Sequence, residues 1–286
     1  MIPYFDAHCD TIYRCLETGE TSTLEYGEDR EEQRRYYAAS THLRKNGGHI
    51  DLERGLKFRR CAQFFALFHD AAEAPADGMW AQCQRMHDFF LREMADNADI
   101  IRHCRTGGEV DVTVVEGKVA ALLSIEGADL IDCDVHKIET VSGWGVRLLN
   151  PVWNRANILS GTNAEEPERG LSAEGRDFIH VLEEHEIYPC PHPRNLTDDQ
   201  FRAIRDLGGV VGLNLYLDFV GQPTMDALAA HVEHFLNLNG EKTVCLGGDL
   251  DGCEALAAGM TGMQDAPKLY DALKARGYSE ALLEDI

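Results

Sequence analysis

Short apolar runs alternate with amphipathic stretches along almost the whole chain, and this alternation restricts the fold more than any other feature. Several runs are apolar without interruption, which is typical of parallel strands covered on both faces. The predicted strands are Tyr4–Ala7, Cys61–Phe68, Val119–Ile125, Val146–Leu149, Val210–Tyr216 and Val244–Leu246.

Helical patterns lie between these runs. The residues Thr197 and Gln200 have the spacing of a capping box at a helix start. The predicted helices are Met79–His103, Thr197–Leu207, Thr224–Leu238 and Ala266–Ala275. This order predicts a parallel α/β fold. Since a (β/α)₈ barrel of the TIM type needs ~250 residues, the 286 residues suit one barrel domain over 1–286.

The charge balance excludes several classes of partner. The chain has 27 basic and 49 acidic residues, a net charge of −22, whereas binding to nucleic acid or to an anionic membrane requires a basic surface. No apolar run reaches the ~20 residues of a membrane span, and Met1–Asp6 shows no signal peptide. The nine cysteines lack a pairing pattern, so we expect reduced thiols in a cytoplasmic protein.

The acidic stretch Glu17–Arg35 permits two interpretations. It is long enough to form a flap over one end of a barrel. A solvated loop and helix face is the simpler interpretation, and the charge pattern favours it.

The first segment that indicates chemistry is Asp6–Thr11. On a strand, His8 and Asp10 are two residues apart, so their side chains point to the same face. In a barrel this face lies at the carboxyl-terminal mouth, where an imidazole and a carboxylate suit Zn²⁺. The alternative is a hydrogen-bonded core histidine, with Asp10 capping the helix that starts at Thr11.

The second segment is Ser124–Ala128, in which Glu126 follows an apolar strand. A carboxylate at this position is costly to bury unless a metal or a hydrogen-bond network compensates it. A simple helix cap is the alternative role of Glu126.

The third segment is Cys245–Gly252, in which two glycines and then Asp249 and Asp251 follow an apolar strand. The glycines let the backbone approach a ligand closely. In a metallohydrolase, Asp249 would take a proton from a metal-activated water. A calcium loop, for which the rest of the EF-hand pattern is missing, and a plain turn are the alternatives.

Together these segments place His, Asp and Glu side chains at three strand ends, as in barrel metalloenzymes. With these segments taken together, the chain resembles the membrane dipeptidase (renal dipeptidase) family of zinc peptidases, which are amidohydrolase-type barrels. The matching segments, spread over nearly the whole chain, are Asp6–Thr11, Ser124–Asp129, Gly145–Leu149, Gly170–Arg176, Pro193–Asp199, Gly208–Tyr216 and Gly247–Gly252.

The resemblance implies a barrel with two zinc ions. His8 and Asp10 would bind the first zinc and Glu126 would bridge the two. A bridging hydroxide would attack the peptide carbonyl of a dipeptide, with Asp249 as the acid/base. Family members often form dimers, so a homodimer is also implied.

The resemblance also indicates substrate-binding residues. Arg194 matches an arginine that holds the terminal carboxylate of the substrate, a task suited to a guanidinium; a surface ion pair is the alternative. Tyr216, at the end of its matching segment, is a further candidate. Trp153 stands where family members often carry a substrate-contacting histidine, which puts the substrate range in question.

A second departure concerns the second zinc. The family binds it with two histidines on strands that follow the Gly-Leu-Ser helix, but this chain passes from that helix directly to Tyr188–Arg194. About one βα unit, ~30 residues, is missing there, and the chain ends at Ile286 where family members continue. We expect no metal-binding role for His180, His185 or His192.

Two explanations of this gap predict different proteins. If residues are left out of the sequence near Tyr188–Pro191, the Cα atoms there should be farther apart than ~3.8 Å, and the protein is a two-zinc dipeptidase. If the deletion is genuine, a single-metal hydrolase of another amide or lactone, or a catalytically silent binding protein, becomes the alternative.

Overall fold

The computed structural model describes residues 1–17, 41–189, 196–253, 256 and 259–286. Eight strands form one sheet, and every paired neighbour is parallel. The strands are β1 (Pro3–Asp6), β2 (Arg60–Phe68), β3 (Ile101–His103), β4 (Val119–Glu126), β5 (Val146–Asn150), β6 (Tyr188–Pro189), β7 (Val211–Leu213) and β8 (Val244–Leu246).

Helices occupy the segments between the strands, as the alternating pattern predicts, and two more follow β8. They are α1 (Thr11–Glu17), α2 (Leu52–Gly55), α3 (Met79–Asp96), α4 (Gly107–Val115), α5 (Ile138–Trp144), α6 (Ala173–Glu184), α7 (Asp198–Asp206), α8 (Leu217–Val220), α9 (Met225–Asn237), α10 (Ala266–Ala275) and α11 (Glu280–Glu284). Single 3₁₀ turns cover Ala71–Glu73, Ala128–Ile131, Val135–Lys137 and Met263–Asp265.

The strand order is β6-β5-β4-β2-β1-β8-β7, and β3 pairs with the first half of β4. In this register Phe68 of β2 lies opposite Glu126 of β4, and Asp6 of β1 lies opposite Leu246 of β8. Parallel pairing therefore brings the carboxyl ends of β1, β4 and β8 to one edge of the sheet.

The sheet is open between β6 and β7 over the part of the chain that the structure describes. Residues 190–195, which follow β6 directly, lie outside that part. The test for a gap measures the Cα separations between Tyr188 and Pro191, and Pro191 lies among the residues that are not described. The missing βα unit therefore stays a prediction. The Glu17–Arg35 stretch also lies almost entirely outside the described residues.

The predicted helix Met79–His103 is too long. The helix α3 ends at Asp96, and Ile101–His103 instead form β3, in register with Val119–Ala121. Periodicity extends through this region because Ile101 is buried in the strand as it would be in a helix. Pairing with β4 makes this segment a strand, and the spacing of apolar residues along the sequence does not reveal that pairing.

The predicted strand Val210–Tyr216 is also too long, since β7 ends at Leu213. The side chain of Asn214 accepts a hydrogen bond from the backbone N–H of Tyr216 at 2.7 Å. This local turn removes the Tyr216 N–H from the strand ladder. The predicted start of α7 is confirmed, because Thr197 forms the predicted capping box with Gln200.

Both faces of the sheet are covered. In β2, Phe65 belongs to the main hydrophobic core and its neighbour Phe64 belongs to a second cluster on the opposite face. The eight cysteines in the described ranges form no disulfide, and seven of them are buried. Of the helices in those ranges, none combines the length and hydropathy that a membrane crossing requires.

Replacing Phe65 with alanine tests the assignment of the core. Phe65 is fully buried, so we expect Phe65→Ala to lower the free energy of unfolding by about 3–5 kcal/mol through lost burial and a cavity. The control is Phe5→Ala, because Phe5 is 40% exposed, and it should cost much less. Chemical denaturation measures both; equal losses would contradict the assignment.

Candidate functional site

Four predicted site residues meet at the carboxyl edge of the sheet. His8 and Asp10 follow β1, Glu126 is the last residue of β4, and Asp249 lies just after β8. The His8 Nε2 atom is 3.2 Å from an oxygen of Asp10 and 3.2 Å from an oxygen of Glu126. It is 3.8 Å from Asp249 Oδ1. Residues more than a hundred positions apart thus form one cluster.

The buried carboxylate of Asp6 fixes the start of this cluster. Asp6 Oδ1 accepts hydrogen bonds from the backbone N–H of His8 at 3.0 Å and of Gly248 at 2.9 Å. Its Oδ2 accepts the Tyr4 hydroxyl at 2.9 Å. Burial raises the pKa of Asp6, and these hydrogen bonds oppose that rise. Asp6 therefore joins the turn after β1 to the turn after β8, a role that the sequence analysis missed.

A second missed residue, Asn214, orients Asp249. The Asn214 side-chain amide donates to Asp249 Oδ2 at 3.1 Å. Asp249 itself has a left-handed backbone with φ of 56°, which is uncommon for a residue other than glycine. An Asn after an apolar strand was the signal in the sequence, but nothing in the sequence indicates that β7 lies beside β8.

The cluster has the chemistry of a divalent-cation site. One donor atom each from His8, Asp10 and Asp249 lie within 4.8 Å of one another. Asp10 Oδ1 is buried and has no hydrogen-bond partner in the described part of the chain. A buried carboxylate oxygen without a partner is costly, and a bound cation would satisfy it. One imidazole nitrogen with carboxylate oxygens is a ligand set that suits zinc.

Electrostatics couple the members of the cluster. Burial disfavours a charged His8 imidazole, but the Glu126 and Asp10 carboxylates outweigh this effect, so the pKa of His8 lies well above its usual value. Burial raises the pKa of Asp10; His8 opposes this rise and the like charge of Glu126 adds to it. The site thus concentrates negative charge around one imidazole, and a cation relieves the repulsion.

A pocket adjoins the cluster and shares Glu126 with it. Its other charged or aromatic walls come from His69, Asp70, Asp129, Trp153 and Arg155. Trp153 packs edge-on against Phe68 with ring centroids 4.8 Å apart. The predicted substrate residue Trp153 therefore lies next to the cluster.

The remaining predicted residues are not among the contacts of the cluster described above. Arg194 and His192 fall outside the described residues. Tyr216 follows β7, and its hydroxyl donates to Asp218 at 3.0 Å. The His180 side chain is 78% exposed and faces Glu183, and His185 caps the end of α6.

The fold and the cluster fit a metal-dependent hydrolase of the barrel type. The sequence profile of the membrane dipeptidase family, peptidase family M19, matches residues 1–188 and 186–286. The chain therefore belongs to this family of metal-dependent dipeptidases. The profile match is divided at residues 186–188, beside the place where the sequence analysis locates the missing βα unit.

Individual proteins are also similar to this chain. An uncharacterized protein from the pqqA 5′ region of Klebsiella pneumoniae is 30% identical over 256 residues, which cover 74% of this chain and 93% of that protein. The crystal structure of dipeptidase AC, a metallopeptidase of family M19, superposes with a TM-score of 0.82 at 24% identity, covering 100% of this chain and 95% of that one.

A second solved structure shows the same fold. It is a metallopeptidase from Rhodobacter sphaeroides, liganded with a phosphinate mimic of the dipeptide L-Ala-D-Ala. Its TM-score is 0.80 at 23% identity, covering 100% of this chain and 96% of that one. These likenesses establish the (β/α)₈-type fold for the chain, although its sheet is open in the described part.

Removing a donor from the cluster should weaken metal binding. We expect Asp10→Asn to lower the zinc affinity by about 100-fold or more, since even outer partners of metal ligands contribute 10–100-fold. The control is His180→Ala, which changes an exposed histidine outside the cluster. Competition with a chromophoric chelator measures both affinities. Unchanged affinity in Asp10→Asn would contradict the assigned site.

Proposed function

We propose that this protein is a zinc-dependent dipeptidase. The observation that supports this most strongly is the meeting of His8, Asp10, Glu126 and Asp249 at the carboxyl edge of the sheet, in a chain that belongs to a dipeptidase family. His8 and Asp10 would hold a zinc ion, and Glu126 would be a further zinc ligand. Zinc bound there would lower the pKa of a water molecule and polarise a peptide carbonyl.

Asp249 is the proposed proton carrier. It takes a proton from the attacking water as the new C–O bond forms at the carbonyl carbon. It then gives this proton to the nitrogen of the leaving amine as the C–N bond breaks. The Asn214 side-chain amide holds Asp249 Oδ2, and Asp249 Oδ1 lies 3.8 Å from His8 Nε2.

The two ends of a dipeptide need separate recognition. Arg194 would hold the terminal carboxylate, and Tyr216 would be a further substrate contact. In a dipeptide the amino group is about 2.5 Å from the carbonyl carbon, given standard backbone geometry. Its binding site must therefore adjoin the metal centre.

The pocket that shares Glu126 meets this requirement. Asp70, Asp129 and Glu126 give it an excess of negative charge over Arg155, which itself lies 3.8 Å from both Asp70 and Glu165. An indole face such as that of Trp153 also attracts cations. We infer that Asp129 and Trp153 receive the ammonium group of the substrate.

One observation favours a second candidate function. Within the described ranges, the His8–Asp10–Asp249 group is the one set of three or more potential metal ligands. A genuine deletion of the histidine-bearing segment would leave a single-metal hydrolase of another amide or a lactone. Metal analysis separates the cases, because the dipeptidase should bind two zinc ions per chain and the single-metal enzyme one. Absence of binding would indicate a catalytically silent protein.

Asparagine at position 249 tests the proton carrier. Because general acid–base groups contribute about 10²–10⁴-fold, Asp249→Asn should reduce kcat by about 100-fold or more. Steady-state hydrolysis of a dipeptide panel measures this, with metal content determined on the same samples. The control, Asp199→Asn, changes a side chain that is 97% exposed. Retention of full kcat by Asp249→Asn would exclude the proposed role.

The amino-terminal pocket makes a separate prediction. Asp129→Asn should raise KM for free dipeptides by about tenfold, since a charged hydrogen bond is worth roughly 1.5–3 kcal/mol. Amino-acetylated dipeptides lack the ammonium group, so we expect poor hydrolysis of them and no change in their KM in Asp129→Asn. Asp132→Asn is the matched control, because Asp132 ends the same 3₁₀ turn without lining the pocket. An equal effect of Asp129→Asn on both substrates would contradict ammonium recognition.

A further inference from the structure

Asp251 is a fully buried carboxylate that the proposed mechanism does not use. Its Oδ2 accepts the Thr11 hydroxyl at 2.6 Å, and its Oδ1 accepts the backbone N–H of His49 at 2.6 Å. Its own backbone N–H donates to His49 Nδ1 at 2.9 Å, and its carbonyl accepts from Arg14 Nε. We call this set of bonds the Asp251 clamp.

The Asp251 clamp joins the two segments that carry the candidate ligands. Thr11 directly follows Asp10, and Asp251 lies two residues after Asp249. Between them, the backbone N–H of Asp10 donates to the Leu250 carbonyl at 2.9 Å, and Cys9 forms a parallel bridge with Leu250. The two segments therefore run side by side, with the clamp at the end of their contact.

There is little room for this arrangement to shift. A Cβ atom on Gly252 would overlap the carboxylates of both Asp10 and Asp249. A Cβ atom on Gly48 would lie 2.7 Å from Asp251 Oδ1. Asp251 also has a left-handed backbone with φ of 67°, a conformation that persists when surrounding bonds enforce it. The backbone therefore passes close against the carboxylates that it positions.

We propose that Asp251 is a positioning residue, which sets the separation of the Asp10 and Asp249 carboxylates through Thr11 and His49 without contacting substrate or metal. This inference rests on the proposed dipeptidase function. A small displacement of catalytic groups has a large effect on rate. Loss of the clamp should therefore lower kcat and leave KM unchanged, since no clamp atom binds the substrate.

The sharpest test is a pair of variants at position 11. Thr11→Ser keeps the hydroxyl and should retain kcat within about twofold, whereas Thr11→Val keeps the shape and should lower kcat by about tenfold. Asp251→Asn should lower kcat by about 100-fold, because the NH₂ group of the new asparagine would face another donor, the His49 N–H or the Thr11 O–H. KM should stay within about twofold in all three.

A second readout does not depend on turnover. The visible absorption spectrum of the cobalt-loaded protein reports ligand geometry, and it should change in Thr11→Val but not in Thr11→Ser. The matched control is Thr113→Val, which removes another buried threonine hydroxyl, one whose partners are Arg102 and Cys104. It should lower the melting temperature without altering kcat or the cobalt spectrum.

The outcomes separate the two proposals. Equal kcat and equal cobalt spectra for folded Thr11→Val and Thr11→Ser would overturn the positioning role, and so would a loss confined to KM. If the unmodified, zinc-loaded protein cleaves no dipeptide, the proposed function fails instead. In that case the cobalt spectra of the Thr11 pair still decide the role of the Asp251 clamp.

Discussion

The lateral contact between the segments that follow β1 and β8 is the constraint on which the site depends. These segments lie at opposite ends of the chain, and parallel pairing of Asp6 with Leu246 brings them together. Asp6 then binds the backbone of both segments, through His8 and Gly248. Because the contact is made of buried carboxylates and backbone N–H groups, it fixes the site residues relative to one another.

The same contact has an electrostatic cost. It gathers the carboxylates of Asp10, Glu126 and Asp249 around His8, and burial disfavours such a concentration of charge. Asp10 Oδ1 has no hydrogen-bond partner among the described residues, which is the clearest sign that those residues alone do not satisfy the site. A divalent cation would offset the repulsion, which would link the stability of this edge of the sheet to the chemistry proposed for it.

Local patterns predicted most of the strands and the residues that come together in the cluster, because uninterrupted apolar runs and the polar residues that end them can be recognised in the sequence. They could not predict features set by distant neighbours. β3 forms where pairing with β4 replaces a helical continuation, and Asn214 gains its role from the proximity of β7 to β8. The roles of Asp6 and Asp251 likewise depend on contacts across more than 200 residues.

Hydrolysis of dipeptides by the zinc-loaded protein, before and after chelation, tests the central claim most directly. The panel should include dipeptides with a D-residue at the carboxyl-terminal position. We predict cleavage of at least one dipeptide, its loss on chelation and its recovery when zinc is restored. Failure of the zinc-loaded protein to cleave any of them, or cleavage that survives complete removal of the metal, would contradict the account.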